Sequence, residues 1–256
     1  MGDHSIYFYL LVAVMLAGVL HCVSVGFLFF FKRSGVKRAN YFFGILLIAI
    51  GLTLLHNIFI ISGIYESYPR LKFLPIYFTL TLPVALFYYV KLTLYPAYRL
   101  RTSDIKHFLL PVFQFLFFAG MFLMSVEFKS KIDRHFYNPF YGAFEQFLYL
   151  VGFFAYMYFA YRYIMQRQKT LVKKQSAKQI LYLKKLIQIL FVLFLIHTAF
   201  IVGDFAGYEL LNISLRTVKP YAALGALSFA ALAYWLGTYG FQVLLWGRRT
   251  FGRGKK

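Results

Sequence analysis

Uncharged, mainly apolar runs alternate along the chain with short segments rich in charged and aromatic residues. A membrane-spanning helix needs roughly 20 mostly apolar residues, because the hydrocarbon core is about 30 Å thick and a helix rises about 1.5 Å per residue. The pattern predicts an all-α, polytopic integral membrane protein with one seven-helix bundle at 1–247 and a basic tail at 248–256. The seven predicted transmembrane helices cover residues 5–31, 40–62, 74–95, 107–126, 142–163, 186–207 and 220–246.

Lys and Arg are distributed unequally between the two sets of connecting segments. One set, together with Lys91, holds 21 of the 28 basic residues and a single acid, Asp104. The other set holds seven bases and seven acids and is therefore neutral. Because cytosolic loops carry an excess of Lys and Arg, we expect the amino terminus outside and the carboxyl terminus in the cytosol. Topology thus explains the net charge of +20 without direct nucleic-acid binding, and membrane lipids are the expected partners of the basic face.

The sequence lacks the residues that several kinds of protein chemistry require. The single cysteine, Cys22, permits neither an internal disulfide nor a cysteine-based metal site. The last apolar run contains no lysine that could carry retinal, and there is no HExxH, phosphate-binding glycine loop or GxSxG pattern. We therefore expect no enzyme activity and no bound cofactor.

Polar side chains inside the apolar runs are candidates for function, because placing them in a membrane is costly. Five of them fall in the predicted outer halves of the second, fifth and sixth helices and are interpreted as a ligand-binding pocket: His56, Asn57, Glu145, His197 and Asp204. If the pocket holds a metal, His56, His197 and Asp204 are its expected ligands. The alternative is that these groups only form hydrogen bonds between helices. The predicted inner halves carry few polar groups, chiefly His21 and Gln114.

The longest basic loop, at 166–185, contains no Gly or Pro, so we expect the sixth helix to begin early, near Lys178. Its basic residues either lie against anionic lipid or form a docking surface for a cytosolic partner. The candidate residues for signal output are Lys173, Lys174, Lys178, Lys184, Lys185, Arg248 and Arg249.

Three expectations concern packing. Lys91, near the end of the third predicted helix, is expected to extend to the cytosolic interface. Pro83, in the middle of that helix, is expected to kink it. The seventh helix carries Ala222, Ala226 and Ala230 at four-residue spacing, which predicts a central place in the bundle.

Many short motifs in order, spread over 40–241, resemble the amino-terminal membrane module of bacterial AraC-type regulators and sensor histidine kinases. They are NYFFGILL at 40–47, LLH at 54–56, SGIY at 62–65, YPRL at 68–71, LTLP at 80–83, FYYVK at 87–91, YPAYRL at 95–100, DIKHFLLP at 104–111 and AYWLGTYG at 233–240. The resemblance implies a non-catalytic, receptor-like sensor in the bacterial inner membrane that passes a signal to a cytosolic output domain or partner.

The chain departs from those regulators at its end. Only ten residues follow Trp246, whereas a folded domain needs roughly 50 or more. We therefore expect the output domain to belong to a longer form of the chain or to a separate protein, and DNA binding and kinase activity are not carried over. The sequence does not decide whether the protein forms a homodimer. It also leaves two other function classes as alternatives: a small-molecule or ion transporter or channel, and a membrane-embedded metal-dependent enzyme.

Overall fold

The computed structural model describes residues 6–170, 174–211, 213, 215 and 218–252, and within them no β-strand occurs. The main helices are α1 (Ile6–Phe31), α2 (Lys37–Ile61), α3 (Thr81–Leu94), α4 (Leu109–Phe122), α5 (Gly142–Lys169), α6 (Lys174–Leu211) and α7 (Lys219–Gly252). Shorter elements connect them: α-helical turns at Ile64–Ser67 and Val126–Ile132, 3-10 helices at Pro69–Leu71 and Thr102–Phe108, and a π-helix at Asp133–Tyr141. The predicted all-α class is confirmed.

Six helical stretches of the described chain are long and apolar enough to cross a membrane. Five of them belong to α1, α2, α5, α6 and α7, and the sixth joins α4 to the 3-10 helix before it. The remaining main helix, α3, is apolar but has only 14 residues. These helices are compatible with an integral membrane protein.

The predicted third helix is wrong in its first part. Residues 72–80 are not helical, and α3 begins only at Thr81. Pro83 is therefore the third residue of α3, and Pro111 is likewise the third residue of α4. The first N–H groups of a helix have no intrahelical acceptor, so a proline there breaks no hydrogen bond. Pro83 is therefore not in the middle of a helix, and the kink expected there does not arise.

The helix at the centre of the bundle is α3, in which 12 of the 14 residues are buried. It packs mainly between α2 and α5. The seventh predicted helix, α7, packs against three helices, α1, α2 and α6, and exposes Leu224 and Phe241. Two of its small residues at four-residue spacing, Ala226 and Ala230, are buried in this packing.

A close crossing joins α1 and α2. A Cβ atom added to Gly44 would lie 2.9 Å from the carbonyl oxygen of Gly26, and one added to Gly26 would lie 3.1 Å from that of Gly44. The two backbones thus touch, as small residues permit in packed membrane helices. Phe29 and Phe43 pack together, with 4.8 Å between ring centroids, and both are fully buried.

Candidate functional site

The candidate site is built around the non-helical residues 72–80, called here the unwound segment. Inside a membrane no water is available for backbone groups, so protein must satisfy them. The Thr53 hydroxyl of α2 accepts a hydrogen bond from the N–H of Phe78 at 3.0 Å. The Gln114 side-chain oxygen of α4 accepts one from the N–H of Leu80 at 3.1 Å. Two neighbouring helices therefore supply the acceptors that the unwound segment lacks.

The start of the unwound segment is strained and firmly held. Phe73 has a φ of 61°, in the left-handed region that costs a residue other than glycine about 1–2 kcal/mol. Its buried ring packs edge-on against Tyr137, with 5.2 Å between centroids. The preceding Lys72 forms an ion pair with Asp133 of the π-helix at 2.7 Å. Strain that the surroundings hold in this way is typical of functional segments.

Gln114 also organises a group of polar side chains, called here the carboxylate cluster (Thr79, Gln114, Tyr137 and Glu145). The Gln114 Nε2 atom donates to Thr79 Oγ1 at 3.0 Å and to Glu145 Oε1 at 2.5 Å. The Tyr137 hydroxyl donates to Glu145 Oε2 at 3.4 Å. Burial, together with the nearby carboxylate, raises the pKa of Tyr137 well above its usual range, so this hydroxyl stays a donor.

Glu145 is the centre of the carboxylate cluster. It is 2% exposed, and no Lys or Arg forms an ion pair with it in the described part of the chain. A charge buried without a partner is costly, so an intramembrane carboxylate is a functional candidate. The sequence pattern assigned Gln114 to the opposite half of the bundle, but the structure places its amide against this carboxylate.

His56 lies beside the carboxylate cluster and has its own partners. Its Nδ1 atom is 2.7 Å from the Tyr65 hydroxyl, and its ring packs on Tyr77 with 4.8 Å between centroids. Burial raises the pKa of Tyr65, so its hydroxyl keeps its proton beside the imidazole ring. Asn57, the next residue of α2, is half-buried.

His197 lies on α6, and Tyr149 of α5 lies between it and the carboxylate cluster. The His197 Nδ1 atom is 2.9 Å from the Ser228 hydroxyl of α7, and its ring centroid is 6.4 Å from that of Tyr149. Tyr149 follows Glu145 by one helical turn, so the two share a face of α5. Asp204 is buried two turns farther along α6 than His197.

Aromatic residues connect three of the five predicted pocket residues, His56, Glu145 and His197. The Tyr77 ring packs on His56, and its hydroxyl is close enough to those of Tyr137 and Tyr149 to interact electrostatically. Among the described residues, no three His, Cys, Asp or Glu side chains are placed to hold a metal ion. The arrangement offers one buried carboxylate among amide and hydroxyl groups, which suits a proton or a small hydrogen-bonding ligand.

A second buried polar group, called here the ion-pair cluster (Tyr88, Lys91, Tyr98 and Asp104), lies at the other end of α3. The Lys91 Nζ atom is 3.6 Å from Asp104 Oδ1 and 3.8 Å from the centre of the Tyr98 ring. Asp104 also accepts hydrogen bonds from the hydroxyls of Tyr88 and Tyr98, each at 2.8 Å, and from the N–H of Arg101 at 2.7 Å. Lys91 is only 9% exposed, so its ammonium group is held by these side chains and does not reach open solvent.

Six of the seven predicted output residues lie along two helices that continue beyond their apolar parts. Helix α6 runs through Lys178, which confirms its early start. Lys178 and Lys185 are exposed and Lys184 is half-buried. Lys173 lies outside the described residues, and so do the side chains of three residues whose helical positions are known, Lys174, Arg248 and Arg249.

Sequence reasoning missed the hydroxyl groups that complete both clusters. They belong to Thr53, Thr79, Tyr88, Tyr98 and Tyr137. Threonine and tyrosine are ordinary in apolar runs, and the one usable signal was the pair of prolines that flank residues 76–82. No family model, curated protein or solved structure matches this chain significantly.

Proposed function

We propose that this chain is a non-catalytic sensory module of a bacterial inner membrane. The carboxylate cluster receives the stimulus on the outer side, α3 transmits it, and the ion-pair cluster responds on the cytosolic side. The observation that carries this proposal is the course of α3: it is buried along its length and joins the two clusters.

The transmission step follows from how α3 is held. At one end, Thr79 and Leu80 are bonded to Gln114. At the other end, Lys91 is bound to Asp104. A close-packed helix moves as a unit, because packed interiors are not continuously deformable. A ligand or proton that changes the bonds of Gln114 therefore favours one position of α3, and the population shifts toward the matching state of the ion-pair cluster.

The proposal places seven spans in the membrane, with the amino terminus outside. The 14 residues of α3 are about 21 Å long. The unwound segment adds up to about 3.3 Å per residue, so together they reach across a core of about 30 Å. The positive-inside rule orients the bundle, since 21 of the 28 basic residues fall on one side.

Cysteine labelling tests this topology. Cys22 is fully buried, so it contributes little background to a membrane-impermeant maleimide. Tyr68 and Arg99 are exposed on the two sides of α3. We expect a Tyr68→Cys variant to be labelled in intact cells and an Arg99→Cys variant to be labelled only after the membrane is opened. Labelling of both variants from one side would show that α3 does not cross.

The proposed output is the basic region at the ends of α6 and α7, including Lys178, Lys184 and Lys185. A cytosolic partner or an output domain carried by a longer chain would contact this region. The resemblance to the membrane modules of AraC-type regulators and sensor histidine kinases agrees with this arrangement, in which the bundle itself performs no chemistry.

A transporter is the second candidate, because interrupted helices beside a buried carboxylate also occur in transporter binding sites. Reconstituted protein separates the two functions. Proteoliposomes are assayed for uptake of protons, sodium and radiolabelled amino acids, with a Glu145→Gln variant as the control. The sensor proposal predicts no protein-dependent uptake of any of these solutes. Uptake by the wild type that the variant loses would establish transport and overturn the proposal.

A further inference from the structure

A groove between α6 and α7 lies outside both polar clusters. It encloses about 210 Å³. One end is lined by the polar residues Tyr182, Lys185 and Gln242, and the floor by Leu186, Ile189 and Trp235. We propose that this groove binds one anionic phospholipid of the leaflet that faces the basic side of the protein.

The indole group of Trp235 requires an acceptor. Its Nε1 atom is buried and has no hydrogen-bond partner among the described residues. Indole N–H is only a donor, and leaving a buried donor without an acceptor is destabilising. Trp235 lines the groove, so a bound molecule that displaces the side chains covering this nitrogen would supply the acceptor.

The order of groups along the groove matches the order of groups in a phospholipid. Gln242 lies two turns beyond Trp235 on α7, and Lys185 lies one turn before Ile189 on α6, so both polar groups lie at the same end. There Lys185 pairs with the phosphate. Deeper in the groove, the ester carbonyl accepts from the Trp235 indole, and the acyl chain covers Leu186 and Ile189. A free phosphate ion would leave the apolar floor uncovered, so the lipid is the better match.

Charge complementarity specifies the headgroup. The side of the chain that carries Lys185 holds 21 basic residues and one acid, and that acid, Asp104, is already bound to Lys91. A basic site between helices on this side of a membrane attracts anionic headgroups, each basic residue contributing about 1 kcal/mol. One such residue corresponds to about fivefold tighter binding of an anionic lipid than of a zwitterionic one.

The chain contains only two tryptophans, so a contact assay at Trp235 is direct. A Trp246→Phe variant leaves Trp235 as the sole indole. This variant is reconstituted with phosphatidylcholine or phosphatidylglycerol whose acyl chains carry bromine, which quenches indole fluorescence on contact. We expect phosphatidylglycerol to quench Trp235 with about fivefold higher relative affinity than phosphatidylcholine does. Adding Lys185→Gln should abolish this preference. Lys178→Gln, which removes the same charge from an exposed position outside the groove, should leave it unchanged.

Three results would overturn the proposal. Equal quenching by the two lipids would mean that the groove does not select an anionic headgroup. A preference that survives Lys185→Gln would belong to the basic face as a whole. If neither lipid quenches Trp235, protein covers the groove, either a second copy or a cytosolic partner. None of these results bears on the sensory function of α3.

Discussion

Replacing Gln114 by leucine tests the carboxylate cluster, because this side chain forms three hydrogen bonds, two within the cluster and one to the adjacent backbone. Leucine fills a similar volume but offers neither the acceptor for Leu80 N–H nor the donors for Thr79 and Glu145. Hydrogen bonds between membrane helices average about 0.6 kcal/mol each, which gives a loss of roughly 2 kcal/mol. The Leu80 N–H is then left buried without an acceptor, so we expect a total loss of about 3 kcal/mol.

The assay is reversible unfolding of the purified protein in mixed micelles, followed by circular dichroism. Gln188→Leu is the matched control, because Gln188 is exposed on α6 and its replacement should change the free energy of unfolding by less than about 0.5 kcal/mol. If Gln114→Leu is no more destabilising than Gln188→Leu, the unwound segment does not depend on this amide, and the reasoning fails.

Three further predictions use the same unfolding measurement. Gly44→Ala should cost about 1–3 kcal/mol because the added methyl group meets the backbone of α1, whereas Gly120→Ala, with open space around it, should be neutral or stabilising; equal effects would refute the crossing. Asp104→Ala should cost about 3–5 kcal/mol because it leaves Lys91 buried without its carboxylate, and Lys91→Met should cost less because Asp104 keeps its hydrogen bonds to two tyrosines and a backbone N–H; the reverse order would contradict this account. Burial lowers the pKa of Lys32 from 10.5 to about 8, so the folded protein holds fewer protons between these values and its stability should rise with pH there; a Lys32→Met variant that kept the same rise would refute this.

The all-helical class and the approximate positions of the six long apolar helices were predictable, because a helix that crosses a membrane needs about 20 mostly apolar residues in a row. The unwound segment was not. Its residues at 74–80 are as apolar as a helix, and their loss of helical structure depends on acceptors from Thr53 and Gln114, which are distant in sequence. Pro75 and Pro83, eight residues apart, are consistent with an interruption but do not require one.

The sequence pointed to the ionisable residues of the candidate site but not to the hydrogen bonds that join them to other helices. Glu145, His56 and His197 stood out because such groups are rare in apolar runs. Their partners are amide and hydroxyl groups on other helices, and no spacing along one helix reveals contacts between helices. The partner of Lys91 could not be predicted for the same reason. Its place near a helix end suggested that it extends to the interface, but Asp104 lies within reach and provides a buried counter-ion.

The central claim, that α3 couples the two clusters, is tested most directly by hydrogen exchange in nanodiscs. The amides of residues 95–108, at the ion-pair cluster, are compared between the wild type, Gln114→Leu and Gly44→Ala, the last of which destabilises a different part of the bundle. We expect Gln114→Leu to accelerate exchange at 95–108 by about tenfold or more, and Gly44→Ala to leave it near the wild-type rate. If Gln114→Leu changes exchange only around the unwound segment, the two clusters are not coupled through α3, and the account is contradicted.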